Sequence, residues 1–227
     1  MKLVFGFVCA LFYSFMSFGQ ITQWTDINYA NDSLEGHKLD IYLPDGGQTE
    51  YKVVVLIYGS AWFANNMKQM AFQAMGKPLL DGGFAVVSIN HRSSGDAKFP
   101  AQINDVKAAV RFIRAHADEY RLDTSFIGIT GFSSGGHLSS LAGTTNGVKV
   151  YKVGDTEMDI EGNVGDCTSF SSRVDAVVDW FGPIDMTRME NCATTKGADS
   201  PEAALIGGTP AEHMDVLTLL NTMTYID

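Results

Sequence analysis

The stretch from Phe126 to Ser140, FIGITGFSSGGHLSS, constrains the fold of this chain more than any other. Ser125 to Thr130 is a short apolar run of the kind that is buried as a strand, and Leu138 and Leu141 follow at helical spacing. Only Gly131-Phe132-Ser133-Ser134-Gly135 lies between them. A chain that passes from strand to helix in so few residues turns sharply. The flanking glycines Gly131 and Gly135 leave room for little but hydrogen around a strained serine, the pattern of a nucleophile elbow. The helix that starts there aims backbone N–H groups and a positive dipole end at the same place. The N–H of Ser134 is therefore a candidate donor to an oxyanion, and Ser133 a candidate nucleophile.

The rest of the chain alternates between strand-like and helix-like text. His37 to Pro44 (HKLDIYLP) alternates and stops at Pro44-Asp45-Gly46, a turn signal. Tyr51 to Gly59, Phe84 to Asn90 and Val174 to Gly182 are apolar runs rich in β-branched residues, as in strands covered on both faces. Met67 to Leu80 reads as a helix ending at Gly82-Gly83. After Pro100, a helix-opening residue, Ile103, Val106, Val110 and Ile113 recur at helical spacing. The fold class is α/β, with a mostly parallel sheet and helices on both faces. Residues 144–173 carry Gly147, Gly154, Gly162 and Gly165 among polar residues, and read as a long excursion off the sheet.

With 227 residues the chain suits one domain. Its net charge of −10, with no Lys/Arg block, argues against nucleic acid or an anionic membrane as the main partner. Residues 1–19 have a positive start at Lys2, an apolar run and small residues at Ser17 and Gly19, the pattern of a secretory signal cut before Gln20. The expectation is export to the periplasm or beyond, with residues 20–227 as the mature domain. Export leaves Cys167 and Cys192, a pair that an oxidising compartment allows either to join or to stay as separate thiols. The two cysteines and five histidines show no zinc-type spacing, so neither metal nor cofactor is expected.

Tyr58-Gly59-Ser60-Ala61-Trp62 follows the strand VVVLI, where lipases and esterases carry the loop that completes the oxyanion hole. LDIYLP, VVVLIYGSAW, AVVSINHR, FPAQINDVKAAVRFIR and IGITGFSSGGHLSSLAG occur in order. In these segments the chain, from Trp24 to Asp227, resembles the α/β-hydrolase superfamily, closest to secreted carbohydrate-esterase-like members of gut bacteria. The resemblance implies a serine esterase acting on acyl esters of carbohydrate, such as acetyl or feruloyl groups on plant polysaccharide. It assigns oxyanion donors to the N–H groups of Ser60, Ala61 and Ser134. The family loop has His and three glycines where this chain has Tyr58, Gly59, Ser60 and Ala61.

The family order is Ser, then Asp or Glu, then His. The resemblance places both partners beyond Asp227, so the last strand–helix units are expected to be missing. A βαβ unit takes about thirty residues, which makes the missing part about 50–80 residues. Asp185, just after the strand ending in DWFGPID, is a weak stand-in acid. None of His37, His91, His116, His137 and His213 lies where a triad base belongs; His137 should project away from Ser133. Two other functions share the fold: a serine peptidase, and a non-catalytic binding or remnant protein. Without the last units the strand of VDAVVDW is expected to have an open apolar edge, which lowers stability and invites self-association.

Overall fold

The computed structural model describes residues 21–191 and 195–226. The expected export segment, residues 1–19, lies outside the described residues, as does Cys192 of the expected cysteine pair. Strands β1 Thr22–Asn28, β2 Lys38–Leu43, β3 Tyr51–Ile57, β4 Ala85–Ile89, β5 Leu122–Phe132 and β8 Ala176–Trp180 form a six-stranded sheet. Their order across it is β1-β2-β4-β3-β5-β8. β1 and β2 pair antiparallel with their neighbours, whereas β4, β3, β5 and β8 are parallel. Strand β6 Val150–Val153 and strand β7 Thr156–Asp159 form a separate hairpin.

The β-branched runs of β3, β4 and β5 become strands covered on both faces, whereas β8, expected to be covered likewise, is mostly exposed because it stands at the sheet edge. Val53, Val55, Ile57, Val87 and Ile129 pack with Ile103, Val106, Val110, Ile113, Leu138 and Leu141 of α3 Ala101–Ala115 and α5 Ser134–Thr144. On the other face Leu56, Tyr58 and Val86 pack with Ala71 and Leu80. Those two belong to α1 Lys68–Ala71 and α2 Lys77–Asp81, which are joined by a π turn over Phe72–Gly76. Each fully buried Val, Ile or Leu contributes roughly 1.5–3 kcal/mol relative to exposure. The short α4 Ala117–Tyr120, α6 Pro201–Ile206 and α7 Met214–Leu220 complete the helices.

Two features depart from the sequence reading. His37 is not on a strand but ends a 3-10 turn, Glu35–His37, because Asp32 (2.6 Å) and Asp105 (3.1 Å) hold its two ring nitrogens. The excursion after α5 is tied down at Glu161, whose carboxylate meets Arg111 at 2.6 Å and Lys107 at 3.1 Å. Both cations are 1% exposed and project from α3, so Glu161 neutralises two charges that burial would otherwise penalise.

Strand β8 lies at the sheet edge, and among the described residues nothing pairs with its outer side. Val178 (51% exposed), Trp180 (49%) and Phe181 (78%) are open. With Met75, Leu79 and Phe126 they border an apolar groove of about 760 Å³.

Candidate active site

Strand β5 delivers Gly131 and Phe132, and α5 begins at Ser134, so Ser133 alone makes the turn. It does so at φ 54°, ψ −127°, a region that side chains other than glycine's avoid. Its N–H donates to Trp180 O (3.0 Å), and its carbonyl accepts from His137 N (3.0 Å), which pins the elbow between β8 and α5. The glycines are required by close approach: a Cβ on Gly131 would lie 2.5 Å from Gly135 O, and one on Gly135 would collide with the carbonyls of Ile57 and Tyr58. Gly59, across from the elbow, is equally confined, since its Cβ would stand 2.8 Å from that of Ser133.

The second loop turns back through Ser60–Phe63, with Phe63 N donating to Ser60 O at 3.0 Å. Ala61 (φ 50°) and Trp62 (φ 61°) both lie at positive φ, the pattern of a type I′ turn. The conformation that glycines favour is thus adopted here by two residues with side chains, at a cost of about 1–2 kcal/mol each. Trp62 is buried beneath the loop and meets His137 edge-on, with ring centroids 5.4 Å apart.

Ser60 departs from expectation. Its N–H donates to Ser134 Oγ at 2.9 Å and so fastens the two loops together, leaving Ala61 and Ser134 as the backbone donors of the expected set. Ser134 is the first residue of α5, where an N–H has no partner within the helix. Ser133, Ser134, Ala61, Trp62, Phe181 and Glu202 line one pocket of about 500 Å³. The larger groove under β8 is lined by neither serine nor cysteine, and its one hydroxyl, Thr130 Oγ1, donates to Val178 O at 2.8 Å; Ser133 opens on the smaller space.

Among the described residues no histidine hydrogen-bonds to Ser133 Oγ. His137 is fully buried with Nε2 on Leu220 O (2.9 Å), and burial pushes its pKa down to about 4, so the ring is neutral. His91 is also buried, stacked on Tyr58, with Nδ1 on Arg92 O. Asp185 meets no histidine among the described residues: its Oδ1 accepts from Thr187 N (3.1 Å), Thr187 Oγ1 (2.6 Å) and Asn221 Nδ2 (3.0 Å). It organises the 3-10 turn Met186–Asn191.

Sequence reasoning missed Glu202. It enters the pocket from α6, a helix whose start was readable: Ser200 caps it through Ala203 N at 3.0 Å, and Pro201 opens it. Nothing in the sequence indicated that α6 lies beside Ser133.

A serine held at positive φ between a parallel strand and a helix N-terminus, with a second loop lining the same pocket, defines the α/β-hydrolase class. Residues 39–227 match the family model BD-FAE, and the chain belongs to that family. It is similar to a bifunctional GH43-CE protein of Bacteroides eggerthii, with 79% identity and TM-score 0.88, covering 90% of this chain and 29% of that one. A truncated form of carbohydrate esterase from gut microbiota is 58% identical with TM-score 0.88, covering 91% of this chain and 73% of that one. The probable carboxylic ester hydrolase LipM of Mycobacterium tuberculosis is 37% identical over 168 residues, covering 73% of this chain and 36% of its own length. The chain thus spans about a third of that relative's length.

Proposed function

We propose that this chain carries the nucleophile of an exported serine esterase that removes acyl groups, acetyl or feruloyl, from carbohydrate. The observation that carries the reading is Ser133, strained at φ 54° beside the Ala61 and Ser134 N–H groups on one pocket. Ser133 Oγ adds to the ester carbonyl carbon, and its proton passes to a general base. The carbonyl oxygen becomes an oxyanion facing the two N–H donors. Collapse expels the sugar oxygen, which takes up the proton, and water then hydrolyses the acyl-serine by the same steps. The proposal assigns the base and its orienting acid to residues outside those described. The names of the carbohydrate-esterase relatives support the substrate class.

The test is hydrolysis of p-nitrophenyl acetate and acetylated xylan by the whole protein, with Ser133→Ala as control. A fall of about 10³-fold or more in the control supports the reading. A wild type no faster than Ser133→Ala favours a non-catalytic binding protein. Export is tested by N-terminal sequencing of the secreted protein, expected to begin at Gln20.

A further inference from the structure

We propose that Glu202 is the group that recognises the carbohydrate, accepting hydrogen bonds from sugar hydroxyls while the ester lies against Ser133. This deepens the esterase reading and rests on it.

Glu202 is 6% exposed and lines the same pocket as Ser133, Ser134 and Ala61. Among the described residues no donor hydrogen-bonds to its carboxylate and no cation pairs with it, whereas Glu161 and Asp105 each have both. The molecule's other deeply buried carboxylates are matched: Asp40 by Lys68 at 2.7 Å, and Asp105 by Arg92 at 2.6 Å. Glu202 is thus a side chain that is largely buried but whose carboxylate opens on the pocket, where its oxygens are left to a ligand that supplies donors.

The carboxylate is also held in place. Ser200 caps the helix, Leu205 is buried, Phe99 N donates to Leu205 O at 3.0 Å, and Lys98 Nζ donates to Ala204 O at 2.8 Å. A fixed, acceptor-only group selects neutral O–H donors and repels anions. Adjacent sugar hydroxyls offer two such donors at a spacing that suits two carboxylate oxygens, whereas a simple alkyl or aryl acetate offers none.

The experiment compares Glu202→Gln with wild type on acetylated xylotriose, p-nitrophenyl acetate and methyl ferulate, and measures xylotriose binding calorimetrically in Ser133→Ala protein with and without Glu202→Gln. A hydrogen bond to a charged group corresponds to about a tenfold to hundredfold effect. The ratio of kcat/KM for the sugar ester to that for the aryl ester is expected to fall by that factor, mostly through KM, and xylotriose affinity to fall alongside it. An unchanged ratio overturns the assignment, as does a loss confined to methyl ferulate, which would give Glu202 to the phenol of the acyl group. Should the wild type hydrolyse no ester, the esterase reading fails separately. Glu202-dependent xylotriose binding then still upholds the site, and absent or Glu202-independent binding overturns it.

Discussion

Replacing Ser133 by glycine should make the protein more stable than replacing it by alanine, the reverse of the ordinary order. At an ordinary strand or helix position glycine is the worse residue by roughly 0.5–1 kcal/mol, because it loses more backbone freedom on folding. Ser133, however, lies at φ 54°, ψ −127°, and a residue with a Cβ in such a region stores about 1–3 kcal/mol. Alanine keeps the Cβ and the strain; glycine releases it. Taking about 2 kcal/mol for the strain and subtracting about 0.75 kcal/mol for glycine's entropy leaves roughly 1 kcal/mol in favour of Ser133→Gly. For a chain of this size that is a difference of about 2–4 °C in Tm. Both variants lack the hydroxyl, so activity does not distinguish them, and the comparison isolates the backbone. Parallel urea and thermal unfolding followed by tryptophan fluorescence would measure it. If Ser133→Ala proves as stable as Ser133→Gly or more so, the elbow is not strained and the argument from φ is wrong.

Glu161→Ala should destabilise by about 3–5 kcal/mol, since it leaves Lys107 and Arg111 buried without their counter-charge. Limited proteolysis should then cut first within residues 144–173. Gly59→Ala should cost about 1–3 kcal/mol and abolish esterase activity, because its Cβ would sit 2.5 Å from Phe132 O and displace the elbow. Stability should fall as pH drops from about 6.5 to 4. His137 has an ordinary pKa near 6.5 when unfolded and about 4 when folded, so the unfolded chain binds the extra proton in that window. The loss is about 3 kcal/mol, and a denaturation series on His137→Asn should show a flatter acid limb.

The parallel core and the elbow were legible because their side chains answer to a local rule. Burial on both faces demands continuous β-branched runs, and β3, β4 and β5 have them; β8 has similar text, yet Val177, Val178 and Trp180 are exposed. The elbow glycines are fixed by contacts within a few residues of one another. Strand β1 was missed, since TQWTDIN is mostly exposed at a sheet edge and bulges between Trp24 and Ile27, so its text carries no alternation. The hairpin β6–β7 was hidden because its strands are only four residues each and wholly at the surface or half-buried. Nothing local marks Lys107 and Arg111 as buried; they are so because Glu161, about fifty residues later, folds over them. Glu202 and the diversion of the Ser60 N–H to Ser134 likewise depend on pairings across space. Asp185 sat at a strand end, as the rule for open sheets asks, yet its oxygen was claimed by Thr187 and Asn221.

The bond from Ser133 N–H to Trp180 O gives the molecule an optical handle on its own chemistry. The chain's three tryptophans differ in environment: Trp62 is 2% exposed, Trp24 is half-buried, and Trp180 is 49% exposed. Acrylamide should therefore quench Trp180 first. Because the Trp180 backbone is bonded directly to that of the nucleophile, acylation of Ser133 should register in the red-edge emission of this one indole, so turnover can be followed on the unlabelled protein with any ester, coloured or not.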